Sequence, residues 1–385
     1  MRSVAIVTIS DYDNYGNRLQ NLATQEVLRR LGYQAETLVN TPFAQPAPTP
    51  AARDAASRGR MPRPDLARVR AALTRAAGYP KRKVRGLYRG RRFRAFRRFT
   101  TAFIAETDYV VAAGVVPDGI GERYDAFITG SDQVWNPTWG RGAAFDFLTF
   151  APREKRISYA ASFGLSHVPE ERTADFADWL SGMAAISVRE AAGADIVRLL
   201  AGREAEVVID PTLMLTPDEW LAFAHAGRAK PKTPYALAYF LGPIADDDER
   251  SIMALAARHQ LAPIRLASSS DPRRYTAGPG EFLDYVSSAA LVVTDSFHGA
   301  AFAILFGKPL IVFPRSGFGP SMDARMETLL TTFDMHSRRW ESVARTGDVL
   351  TPPPTTSRDV LERERAKALR FLRRSLSMAT GPARS

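Results

Sequence analysis

The chain has 385 residues, 45% of them hydrophobic, a formal charge of +11 and no cysteine. That length exceeds one ordinary core and predicts two domains, while the missing cysteine excludes disulfides, thiolate metal sites and a cysteine nucleophile. No apolar run approaches the ~18 residues of a membrane span, and the five histidines form no His-x-x-x-His or Glu-x-x-His pair of the kind a zinc site needs.

The absence of cysteine fits a cytoplasmic enzyme, and residues 4–9 (VAIVTI), too short and too soon followed by Ser10-Asp11-Tyr12-Asp13 for a signal peptide, read as a first β-strand. A helix from about Leu19 to Leu31, stopped by Gly32, leads to a strand at Gln34–Leu38. Residues 41–66 are rich in Pro, Ala and Arg without periodicity and read as an exposed loop. Two basic helices follow, about 67–77 and 84–104. Phe93, Phe96 and Phe99 can bury one stripe of the second while arginines cover the rest. A surface for RNA or membrane, or a basic rim that steers an anionic substrate, competes with that reading. The chain re-enters the sheet at Ala126–Thr129 and Arg156–Ala160.

The pattern restarts at Ala184–Val188 (AAISV), with a helix to Leu200 and VVID at 207–210. Strands at 235–242, 263–268, 291–295 and 309–313 follow, with a helix at about 246–259 and a last helix at about 357–377 expected to pack back on the first domain. Such alternation predicts an α/β protein with parallel sheets. The expected division is a Rossmann-like domain at 1–180 carrying loop 41–66 and basic helices 67–104, a second at 181–350, and a basic helix and tail at 351–385. Ligands are expected off the carboxyl ends of the strands, in a cleft between the halves.

Strand ends here release polar clusters. In DNYGNRLQ, Gly16 permits a tight turn, Asn17 can cap a helix beginning near Arg18, and Asn14, Asn17 and Gln20 can reach an anionic or hydroxyl-rich ligand. A plain capped turn is the equal alternative, and nothing resembles a GxGxxG fingerprint. In GSDQVWNP, Gly130 allows close backbone approach and Ser131 and Asp132 are good caps. Trp135 between Gln133 and Asn136 resembles a sugar platform, with core filling as the competing reading. ASFG contributes Ser162. In DSFHG, Asp295 or Ser296 caps a helix over Gly299–Phe306, which puts His298 in the first turn, where an imidazole at the positive helix end suits phosphate or carboxylate and can move a proton. Arg189 and Arg325 are anion-clamp candidates, with surface salt bridges as the alternative.

Together YDAFITGSDQVWNP, RISYAASFG, ISVRE, VVIDPTLML and LVVTDSFHGAAFAILFGKPLIVF resemble the polysaccharide pyruvyl transferase family. The resemblance implies a two-domain fold like the GT-B glycosyltransferases, phosphoenolpyruvate as donor, a saccharide acceptor and a cyclic pyruvate ketal as product. It carries catalytic roles to His298 and Arg189; the chemistry such a reaction needs adds Asp132 as a candidate base or acceptor-hydroxyl anchor. Ser296, Gly299, Asp295, Arg325 and Arg315 fall on the donor side. Asn14, Gly16, Asn17, Gln20, Gly130, Ser131, Gln133, Trp135, Asn136 and Ser162 fall on the acceptor side. No metal, cofactor or nucleic acid is implied; the acceptor is free or lipid-linked, the latter bringing the protein to the inner membrane face. Many members have an arginine before the Leu-His of this block, whereas here Ser296-Phe297-His298 lacks it, leaving Arg315, Lys308 or Arg325 to supply the charge. A GT-B-type glycosyltransferase with a nucleotide-sugar donor is the alternative.

Overall fold

The computed structural model describes residues 2–40, 86–112, 114–315 and 323–381. The Pro-rich stretch 41–66 and the first basic helix lie outside them. Strand β1 (Arg2–Val7) is followed by helix α1 (Tyr15–Arg30), β2 (Tyr33–Asn40), helix α2 over 86–103, β3 (Glu106–Val111), β4 (Ala126–Thr129) and β5 (Arg156–Ser158). These strands pair in the order β3-β2-β1-β4-β5, all parallel. The central strands are apolar on both faces, as a sheet covered on both sides requires.

The short strands β6 (Ser187–Val188) and β7 (Glu206–Val207) pair with each other and reach β5 through parallel bridges, Ile157 to Ala185 and Ala161 to Val188. The first sheet therefore extends past β5. The second sheet holds β8 (Tyr235–Tyr239), β9 (Ala262–Leu266), β10 (Leu291–Thr294) and β11 (Leu310–Val312), in the order β11-β10-β8-β9. Around it lie α3 (Pro279–Ser288), α4 (Phe297–Leu305) and α5 (Ala324–Thr332). The result is two Rossmann-like domains in a GT-B-like arrangement with a crevice between them.

The last helix, α6 (Ser357–Thr380), packs back on the first domain as expected: Arg2 donates to Thr380, and Arg374 pairs with Glu206. The domains also meet directly. Tyr15 at the start of α1 stacks on Phe282 of α3 at 4.6 Å and on Phe96 of α2 at 5.2 Å. Arg92 of α2 is buried between the halves, donating to the Asp13 carbonyl and the Tyr15 hydroxyl, both at 2.7 Å, and to the Tyr275 carbonyl at 3.0 Å. Phe96 and Phe99 are buried as expected, but Phe93 is 51% exposed. A spacing of three slips each successive ring by about 60° around the helix, so three such residues cannot share one narrow stripe. Among the described residues no helix is long and apolar enough to cross a membrane.

Candidate active site

Two helix N-termini meet in the crevice. Asn14, in extended conformation, accepts from the Asn17 amide at 3.4 Å and starts α1 at Tyr15. Asn17 is therefore not the expected cap but lies within the first turn, because the earlier asparagine already satisfies the open amide. Opposite, Ser296 accepts from the Gly299 amide at 3.3 Å and starts α4 at Phe297. His298, in that first turn, lays its ring against Gly16. A Cβ built on Gly16 would stand 2.0 Å from His298 Nδ1, so no larger residue fits there. The other ring nitrogen, Nε2, faces Asp210 Oδ2 at 3.7 Å and has no hydrogen-bond partner. The imidazole is thus seated between a carboxylate and two helix ends whose partial positive charge favours an anion.

Asp210 is the hub of a buried network. Its Oδ2 accepts from Arg189 Nη1 at 2.7 Å and Ser131 Oγ at 2.9 Å, and its Oδ1 accepts from the Thr212 amide at 2.9 Å and hydroxyl at 2.8 Å. Arg189 reaches on with Nη2 to Asp132 Oδ1 at 2.9 Å, its guanidinium lying 4.4 Å from the Phe297 ring centre. The second oxygen of Asp132 accepts from Asn17 Nδ2, and Arg325 Nη1 lies 3.7 Å from the first. Gln133, with its amide oxygen turned to Arg325, accepts from Nη1 at 3.1 Å and Nη2 at 3.0 Å. Asp132 sits at φ 67°, a left-handed conformation that costs a non-glycine residue roughly 1–3 kcal/mol. Its bonds to Arg189 and Asn17 hold it there.

Burial pushes the Asp210 carboxyl up, but His298, Arg189 and the Thr212 amide together override it and hold it well below the ordinary range. Asp132 behaves alike, with burial outweighed by Arg189, His298 and Arg325. Burial, reinforced by neighbouring Arg189, pushes Arg325 down to about 10, so it remains a cation at neutral pH. Two carboxylates thus face two guanidinium groups. Glu190, beside Arg189, is raised by burial although Arg189, Arg325 and the Gly164 amide pull the other way. One of its oxygens accepts from Ser162 Oγ at 3.0 Å, the Phe163 amide at 2.9 Å and the Gly164 amide at 3.1 Å, and the other has no partner.

The fold therefore gathers His298, Arg189, Asp132, Arg325, Ser131, Gln133, Asn17 and Gly16 in one place. Asp295 anchors the facing loop, accepting from the Leu241 amide at 2.7 Å and the Gly242 amide at 2.9 Å, with Arg315 Nε at 3.3 Å. Other expected ligand residues are turned inward. Trp135 is fully buried, stacked on Phe147 at 4.8 Å and donating to the Asp146 carbonyl at 3.1 Å, so it fills core and offers no sugar platform. Asn136 caps the turn that follows, accepting from the Thr138 amide at 3.0 Å. Gln20 braces Thr8 at 2.8 Å and the Ser131 amide at 3.2 Å, and Ser162 binds Glu190. Gly130 approaches backbone, not ligand, since a Cβ there would lie 2.2 Å from the Tyr159 carbonyl oxygen. Gly299 packs likewise on Thr294 Oγ1, 2.5 Å from a Cβ built on it. Lys308 lies beyond the far end of α4, away from His298. Asp210 and Glu190 were not among the expected residues. A carboxylate closing the buried run VVI before a proline was the available signal.

The architecture is that of a two-domain α/β protein built on parallel sheets. The sequence model of the polysaccharide pyruvyl transferase family matches residues 14–317, across both domains, and the chain belongs to that family. No curated protein matches the sequence. Among solved structures, the chain is similar to a UDP-GlcNAc 2-epimerase from Methanocaldococcus jannaschii, with 12% identity, a TM-score of 0.48, and 91% of this chain and 92% of that one covered. It is also similar to the UDP-GlcNAc 2-epimerase of Neisseria meningitidis bound to UDP-GlcNAc, with 10% identity, a TM-score of 0.44, and coverage of 98% and 99%. A third is the glycosyltransferase SsfS6 of Streptomyces sp. SF2575, with 12% identity, a TM-score of 0.35, and coverage of 96% and 95%. At these scores the likenesses say nothing about what the chain binds.

Proposed function

We propose that the protein moves the pyruvyl group of phosphoenolpyruvate onto a saccharide, closing a cyclic ketal across two hydroxyls and releasing phosphate. The methylene carbon takes a proton, and the adjacent carbon gains cationic character. One sugar hydroxyl adds to that carbon and loses its proton, phosphate leaves with the electrons of its bond to carbon, and a second hydroxyl completes the ketal. The observation that carries this reading is His298, wedged on Gly16 at two helix N-termini with Asp210 at 3.7 Å. His298 holds the proton that moves, and Asp210 faces the ring from the side opposite Gly16. Arg325, Arg315 and the helix ends receive the donor's phosphate and carboxylate. Arg189 and Asp132, engaged with each other, position these groups.

Thermal unfolding with added ligands tests the reading. Phosphoenolpyruvate at about 100 times its Kd should add about 2.7 kcal/mol of stability by mass action, whereas UDP-glucose should add none. A shift with the nucleotide sugar alone would overturn the proposal in favour of glycosyl transfer.

A further inference from the structure

Two buried guanidinium groups share the crevice, and their partners differ in charge. Arg189 is held by carboxylates, Asp210 at 2.7 Å and Asp132 at 2.9 Å. Arg325 meets a neutral amide: Gln133 accepts from its Nη1 at 3.1 Å and its Nη2 at 3.0 Å, while Asp132, already engaged by Arg189, lies 3.7 Å away. The place is a poor one for a cation. Arg325 is 6% exposed and its Nε has no hydrogen-bond partner. It also stands in the first turn of α5, at the positive end of the helix.

Gln133 is equally at odds with its surroundings. The end of its amide turned away from Arg325 meets Asn136 Nδ2 at 2.6 Å. Asn136 cannot present its oxygen instead, because that oxygen accepts from the Thr138 amide at 3.0 Å and hydroxyl at 2.6 Å. Both ends of the Gln133 amide therefore face donors, and an amide has one oxygen to offer. A carboxylate would satisfy both sides and pair with the buried cation. Nor can the side chain swing aside, since a Cβ built on Gly164 would stand 2.1 Å from the Gln133 amide. The turn at Gly164 is itself pinned, its amide and that of Phe163 donating to Glu190 at 3.1 and 2.9 Å. A local mismatch kept at so confined a position marks a functional requirement.

We propose that Gln133 is a positioning residue that seats Arg325 while leaving its charge uncancelled, so that an anionic group of the donor, phosphate or carboxylate, completes the pair. The proposal rests on the reading of Arg325 as a donor contact, and it assigns the site's preference for an anion to a neutral side chain beside the cation.

Gln133→Glu in the full chain tests it by separating stability from binding. The variant should melt above wild type through a new ion pair with Arg325, and that gain should vanish when Arg325→Gln is added. It should nevertheless bind phosphoenolpyruvate at least about tenfold more weakly in calorimetric titration, since the cation is then already paired. A glutamine with a merely structural role would not move the two in opposite directions. A lower melting temperature, or a smaller loss of affinity, overturns the proposal. Gln133→Met, which removes the acceptor and adds no charge, should melt below wild type and keep affinity within about threefold. A larger loss there would make the amide itself a ligand contact and overturn the proposal too. Inorganic phosphate, titrated alongside, separates this proposal from the choice of donor. Phosphate that binds with the same dependence on Gln133, while phosphoenolpyruvate does not bind, removes the donor and leaves the proposal standing; a wild-type chain that binds neither overturns it.

Discussion

The loop after β4 and the loop after β10 face one another across the crevice, and they use similar residues differently. In the first, every polar side chain from Ser131 to Asn136 is engaged by protein: Ser131 with Asp210, Asp132 with Arg189 and Asn17, Gln133 with Arg325, Trp135 with Asp146, Asn136 with Thr138. In the second, Ser296 and Asp295 are engaged, but His298 keeps a ring nitrogen without a hydrogen bond. A cluster of small polar residues at a strand end is therefore not itself a site. Within these two loops, the buried side-chain atom left without a hydrogen bond is His298 Nε2.

The sharpest way to break this contrast is His298→Ala, which should lower phosphate release from phosphoenolpyruvate by about 10²- to 10⁴-fold with the fold intact. Turnover within tenfold of wild type would show that the unpartnered nitrogen is idle. Gly16→Ala should approach the same loss, because its methyl would overlap the ring at 2.0 Å from Nδ1. Combining it with His298→Ala should add little, since both act on one group, and full additivity in rate would separate them.

On the bracing side, Asp132→Asn should reduce unfolding free energy by about 3 kcal/mol, because it leaves Arg189 short of a buried partner. Denaturant titration measures this, and an unchanged midpoint would mean the network relaxes freely. Glu190→Gln sharpens the electrostatics. The native carboxyl is held above its ordinary value of 4.5, so its contribution to stability is present below that pH and is lost as pH rises through its folded value. Melting curves from pH 4 upward should therefore shift progressively in favour of the variant, and parallel curves would contradict the raised carboxyl. Asp132 and Asp210, both held low, contribute with the opposite sign, and their stabilisation is lost only as pH falls below about 3.8. The smallest effect should come from Trp135→Phe, about 1 kcal/mol for one lost hydrogen bond, with donor and acceptor KM unchanged. A raised acceptor KM would restore the sugar platform.

Both parallel sheets, the strand ends and the Ser296 cap with His298 in the following turn were legible in the chain, because strand periodicity, helix capping and turn chemistry act between residues a few positions apart. The family was legible in the same segments, and its model spans residues 14–317. Which side of each loop faces core or crevice was decided only by tertiary packing. Trp135 turned inward because Phe147 waits there, and Asp210 became the hub because Ser131, Arg189 and His298 converge on it from distant strand ends. No local preference encodes such meetings, since burial and the pairing of buried charges depend on surfaces that exist only once both domains have closed on each other.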